Sequence, residues 1–402
     1  MSATKSQESV GRWQSMPRRN FIIGCVCGST IVLALGYFTV RWQVMTSAAT
    51  TIRQAELHVR SGDHSGAREI LATLMWFEPS HHQGLLIRGI SLNADRMFAE
   101  SIAALEQIPV ESPSYEDAGT TLVSSLIHDG WLERAEAVLI QHLGRFPQSA
   151  QSRENLVRLY LSQLRGRAAM AVLQDYQRAY PEDLSVLPHM LDLEAKILTA
   201  NDRVRSLETA DMRHPRQAAV ILALARAYAM LGMTEHARSR FQAALDLKPR
   251  DPVTRIHAAE FQFECGDAAA ARHLLQMDTA AQPENDDRYL FLLCRMAAKS
   301  NEIAQSYAHL QKAMALRPHE ETYVLMQSAL LRHMGRADEA AAVGQEAVHL
   351  AEARKRLMVL SDQLDRRQPA APQCAEIAEL LEQLGHPGQA TGWRRVARAV
   401  VP

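Results

Sequence analysis

From Ala48 onward, apolar residues recur at i, i+3, i+4 and i+7 spacing in short blocks, the stripe of an amphipathic helix. The blocks come in pairs, and the pairs repeat. A large apolar residue stands at Leu71, Leu105, Leu139, Leu173, Leu207, Phe241 and Leu275, each 34 residues after the last. Four positions before each stands a small residue (Ala67, Ser101, Ala135, Ala169, Ala237, Ala271), with Arg203 breaking the series. Prolines 79, 113, 147, 181, 215, 249 and 283 keep the same period, and Gly62, Gly130, Gly232 and Gly266 fall between the paired blocks. The pattern predicts two antiparallel helices per unit. Glycine ends the first in a left-handed cap. The small residue lets the two backbones approach, the large one fills the gap to the next unit, and proline stops the second helix. No unit can bury its apolar stripe alone, so the units must stack.

With the periodic proline at position 32, units begin at Ala48, His82, Glu116, Ala150, Leu184, Ala218 and Pro252. The unit from Ala218 carries Leu224, Ala225, Tyr228, Gly232, Ala237, Phe241, Ala244 and Pro249, and that from Ala150 carries Leu156, Tyr160, Ala169 and Leu173. This order of small and large residues resembles the tetratricopeptide repeat. The resemblance covers Ala48 to Val396. It implies an all-α fold, a right-handed superhelical solenoid of antiparallel helix pairs with nine to ten repeats, here preceded by one transmembrane helix.

The unit from Leu184 departs from the pattern, with Pro188 inside its expected first helix and Arg203 at the small position, which predicts a shift or kink. An eighth unit reaches Pro318 after one inserted residue and keeps Leu310 and Ala313. A ninth keeps Gly335 and Ala340, and its second helix is predicted to run to Leu364, since no breaker precedes Pro369. The expected organisation is an N-terminal tail over 1–20, an anchor over 21–40 and the solenoid over 48–352. A helix extension and linker over 353–372 and a C-terminal helical pair over 373–399 complete it. That pair carries Ala378, Leu381, Gly385, Ala390 and Trp393, with Arg394, Arg395 and Arg398 as a solvated cap.

Phe21 to Val40 is free of charge, and as a helix it spans about 30 Å, the thickness of a bilayer's hydrocarbon core. Lys5, Arg12, Arg18 and Arg19 precede it, against Arg41 and Arg53 after it, so the positive-inside rule places the N-terminus in the cytoplasm. The expectation is a single-pass protein of a bacterial inner membrane with its repeats outside the cytoplasm, contacting the membrane through 21–40. Cys265, Cys294 and Cys374, dispersed in the solenoid, favour the reducing side instead.

Charge and motifs narrow the chemistry. Lys and Arg number 44 against 45 Asp and Glu, a balance that argues against nucleic-acid binding. The cysteines form no C-x-x-C, and the 16 histidines form no H-E-x-x-H. G-x-S-x-G, Walker and dinucleotide motifs are absent from the sequence as well. Neither an enzyme, a cofactor nor a metal is expected, nor a small-molecule substrate. The acidic run Glu284-Asn285-Asp286-Asp287 opens a helix, where it complements the dipole.

The resemblance further implies that each unit's first helix lines a concave face, where positions 2, 5, 9 and 12 meet a bound peptide. Position 9 reads Arg158, Asp192, Arg226, Glu260 and Arg295. Alternating charge fits either a mixed-charge groove or a ladder of ion pairs between neighbouring units, each exposed rung worth about 0–1 kcal/mol. Position 5 reads Leu222, Ile256, Phe291 and Leu325, with Phe263 at position 12, an apolar strip for a partner segment. The functional expectation is a membrane-tethered protein-interaction scaffold that organises an envelope or export assembly. A cytoplasm-facing adaptor or co-chaperone is the alternative, and an enzyme with a cryptic site has no constellation behind it.

Overall fold

The computed structural model describes residues 18–195, 200–276, 285–364 and 370–400, apart from the side chains of 18–34 and 202. The side chains of Cys25 and Cys27, together with Pro283, Glu284, most of the expected tail and residues 365–369 of the expected linker, therefore lie outside the described set. Among the described residues there are twenty α-helices and no strand. They fall into two compact units, one ending at Ser125 and one beginning at Leu126.

The first unit holds α1 (Arg18–Arg60), α2 (His64–Phe77), α3 (His82–Ala94), α4 (Phe98–Leu105) and most of α5 (Tyr115–Asp129). The second runs through α6 (Leu132–Arg145), α7 (Ala150–Ser162), α8 (Gly166–Ala179), α9 (Leu187–Ala195) and α10 (Asn201–Arg213). It continues with α11 (Ala218–Met230), α12 (Thr234–Leu247), α13 (Pro252–Glu264), α14 (Ala268–Gln276) and α15 (Asp287–Lys299). Then follow α16 (Ile303–Leu316), α17 (Glu321–His333), the 28-residue α18 (Ala337–Leu364), α19 (Ala371–Gln383) and α20 (Pro387–Val400).

Local chemistry fixes the helix ends. Asp63 and Asp251 cap α2 and α13 by accepting from the amides of Gly66 and Thr254. Asp286, in the acidic run, likewise caps α15 by accepting from the amides of Arg288 and Tyr289. Between the paired helices the backbone turns left-handed, with φ of +81° at Gly62, +72° at Gly232 and +92° at Gly266. The same corner in other units is taken by Arg96 (+62°), Leu164 (+57°) and Asn301 (+61°). The left-handed corner is thus a property of the repeat, and packing holds it even where a Cβ makes it costly.

Within a unit, the small position buries Ala67, Ala135, Ala169, Ala237 and Ala271 completely. Where serine replaces alanine, its hydroxyl finds a carbonyl on the paired helix. Ser101 donates to Gly89 at 2.8 Å and Ser306 to Cys294 at 2.9 Å. A buried hydroxyl is tolerated there because its hydrogen bond is made.

The irregular unit changes the stacking. Pro188 stands in the first turn of α9, not in its interior, and α9 starts at the fourth residue of its unit, where α7, α11 and α13 start at the first. α9 packs against α18 and α20. Ser361 donates to Asp192 at 2.5 Å, His386 meets Glu194 at 3.3 Å, and Gly392 leaves room for Leu187. Meanwhile α6 meets α11 as well as its sequence neighbour α7. The Gln217 amide donates to the Gly130 carbonyl at 2.8 Å, the Ala219 amide donates to Glu133 at 2.8 Å, and Trp131 stacks on His214 with centroids 3.7 Å apart.

The transmembrane expectation requires correction. Among the described residues, no helix is long and apolar enough to cross a membrane. Residues 21–34 of the proposed anchor lie outside the described side chains. From Leu35, α1 continues unbroken to Arg60 and carries Arg41, Arg53 and Glu56, so no long uncharged stretch remains. Tyr37 already packs on the second helix, its ring 5.5 Å from Phe77, and Ile52 and Ala55 are buried with Leu71 and Leu74. The anchor over 21–40, the single-pass inner-membrane location and the exported topology are accordingly unsupported.

Candidate functional site

A cleft of about 880 Å³ opens in the second unit where α6 and the start of α8 face α11 and α13. Its existence follows from the irregular stacking. The hydrogen bonds from Gln217 and Ala219 fix the start of α11 against the start of α6, and the space alongside is left unfilled. Leu222 and Ala223 form part of its wall, with the exposed side chains of Ile140 and Val253 on the same lining.

Charged groups dominate the rest, and most are matched. Arg165 donates to Glu136 at 2.7 Å while its guanidinium lies 4.3 Å from the centre of the Tyr160 ring. Arg167 pairs with the buried Asp287 at 2.8 Å, and Asp287 also accepts from the Tyr323 hydroxyl at 2.6 Å. Lys248 meets Glu133 at 3.6 Å, and Arg288 meets Asp286 at 3.0 Å. Arg226 is different. Among the described residues it has no hydrogen bond or ion pair. Burial, reinforced by the nearby Arg288, pushes its guanidinium down to about 10, and Glu260 offsets only part of this.

His257 is buried beside it. Burial pushes the imidazole down to about 4, with Arg226 and Arg288 adding to the effect against Glu260. The ring is therefore neutral near pH 7. Its Nε2 accepts from Arg288 at 3.0 Å, which puts the proton on Nδ1, 3.6 Å from the Glu260 carboxylate. Glu260 ionises more readily than an ordinary glutamate. Burial opposes this, but His257 and Arg295 outweigh it.

The residues singled out from the sequence are divided by the structure. Leu222, Arg226 and Glu260 come together in the cleft. Ile256 is buried, and Phe263 packs with Ala259, Leu292 and Met296, with Arg295 5.0 Å above its ring. Phe291 is half-buried against Tyr323, with centroids 4.6 Å apart, whereas Leu325 is 50% exposed. Position 5 is thus not a continuous exposed strip. Along position 9 one rung forms, Arg295 to Glu260 at 4.0 Å. Arg158 instead pairs with Glu154 within its own helix, and Asp192 accepts from Ser361. Arg165, Arg167 and His257 lie off the expected peptide-facing positions, whereas Arg288 stands at position 2 of the eighth unit, a peptide-facing position at which the sequence reading singled out no residue. The one signal pointing toward them was the irregular unit with Pro188 and Arg203.

Residues 232–293 match the family model described as tetratricopeptide repeat. No curated protein matches the chain. Among solved structures, MamA 41-end from Desulfovibrio magneticus RS-1 is similar at 17% identity and a TM-score of 0.33, over 43% of this chain and 97% of that one. Pseudomonas aeruginosa pilF is similar at 18% identity and a TM-score of 0.31, over 53% and 97%. Yeast Tom70 is similar at 11% identity and a TM-score of 0.30, over 90% and 91%. Nothing about ligand or partner follows from likenesses at this level.

Proposed function

We propose, from the premise that this chain is a tetratricopeptide-repeat protein, that it is a protein-interaction scaffold whose second unit receives an extended segment of another protein. The observation carrying this reading is the cleft of about 880 Å³, which joins apolar wall residues to charged ones on first helices α11 and α13. A peptide has both kinds of group, and an extended one offers backbone and side chains together. The scaffold's role is then to hold a partner within a larger assembly.

The test is to pan a phage-displayed random-peptide library on the immobilised full chain. Enriched peptides should lose binding to the cleft-filling double variant Ala219→Trp with Leu222→Trp, whose helicity is checked by circular dichroism. They should keep binding to Leu325→Glu, at an exposed site outside the cleft lining. The opposite pattern would place binding on another face and refute the cleft.

A further inference from the structure

The lining of the cleft carries five cationic side chains, Arg165, Arg167, Arg226, Lys248 and Arg288, against four carboxylates, Glu133, Glu136, Asp251 and Glu260. Four of the five cations have an acid within 3.6 Å. Asp251 is committed to capping α13 through Thr254. Glu260, the acid that acts on Arg226, lies 3.6 Å from the neutral His257 and 4.0 Å from Arg295, whose nearer acid is Glu264 at 3.6 Å. Among the described residues, Arg226 is the one cation of the lining with no acid within 4.0 Å. Arg165, Arg167 and Arg288 repel it and Glu260 attracts it.

A half-buried cation in that setting is costly unless an anion meets it, and native proteins match such charges or leave them for a ligand. Further backbone donors stand on the same lining. The start of the 14-residue α8, Gly166 to Ala168, has no side-chain cap.

We propose that Arg226 seats an acidic side chain carried by the segment that the cleft receives. This rests on the reading of the cleft as a peptide site and names the chemistry of its ligand. A carboxylate supplies the direct acid partner that Arg226 lacks. The apolar side chains of Ile140, Leu222 and Val253 on the same lining call for apolar neighbours around that charge, which an inorganic anion lacks. An aspartate or glutamate flanked by aliphatic residues meets both demands.

The same peptide selection tests this, with a distinct readout. Peptides enriched on the wild-type chain should share an Asp or Glu beside apolar residues. In a synthetic copy of the best one, exchanging that acid for its amide should weaken binding by roughly tenfold or more, the usual worth of a charge-assisted hydrogen bond. On Arg226→Gln the same exchange should change affinity by less than about twofold, completing a double-mutant cycle. An unchanged affinity for the amide peptide on the wild type overturns the proposal without recourse to any protein variant. An equal loss on Arg226→Gln overturns it too. A cleft-dependent consensus without acids sinks this inference alone, whereas no enrichment at all sinks it together with the cleft.

Discussion

Lowering the pH should loosen the second unit through His257. This imidazole is 8% exposed, and its neighbours Arg226, Arg288 and Glu260 face it from α11, α15 and its own helix. Its pKa falls from 6.5 when unfolded to about 4 when folded. A depressed folded pKa means that the unfolded chain binds the proton more readily, so the contribution is present above pH 6.5 and is lost as pH falls toward 4. Between about pH 7.5 and about pH 5 the loss is about 2 kcal/mol. Other titrating groups respond to acid as well, so the comparison is with His257→Gln, which keeps an acceptor for Arg288 and a donor toward Glu260 but cannot take up a proton. Urea unfolding of both proteins at the two pH values gives the answer as a difference of differences. Wild type should lose about 2 kcal/mol more than the variant. Parallel losses would mean that His257 is solvated or already charged, and the electrostatic account of the cleft would fail with it.

Two further outcomes follow from the packing. At the left-handed corners, Arg96→Gly should stabilise the first unit by about 0.5–1 kcal/mol, and Gly232→Ala should destabilise by about the same amount, as read by urea midpoints. A Cβ at Gly232 meets nothing within 4 Å, so backbone strain alone is at work, and an unchanged midpoint would refute the reading of the corner. Ile256→Glu should cost several kcal/mol and helicity, because the side chain is 2% exposed, whereas Leu325→Glu should leave the circular dichroism spectrum unchanged.

What was legible in the sequence was the part decided within one unit. The period, the small and large positions and the glycine corners express contacts between two helices a few residues apart, and each leaves a mark at fixed spacing. Even Arg96, Leu164 and Asn301, which lack the glycine, stand at the predicted corner. The cleft was legible only in part. Leu222, Arg226 and Glu260 sit on expected faces, but Glu133, Arg165 and Arg167 share the cleft with them through a meeting of α6 with α11 that no periodic rule encodes. The apolar strip failed for a related reason. Spacing places Ile256 and Phe263 on the right helix but does not say how closely the next helix pair covers them.

The departures from the repeat, more than the repeat itself, make the site. Regular stacking buries one helix pair against the next and leaves charged first-helix residues to match one another, as Glu260 and Arg295 begin to do. Pro188 stands in the first turn of α9, and that helix packs on α18 and α20 as well as on α8, with Asp192 accepting from Ser361. Asp192 is the position-9 acid of the unit preceding Arg226 in sequence. Volume and charge meet in one cleft, and a ligand that fills the first is expected to satisfy the second.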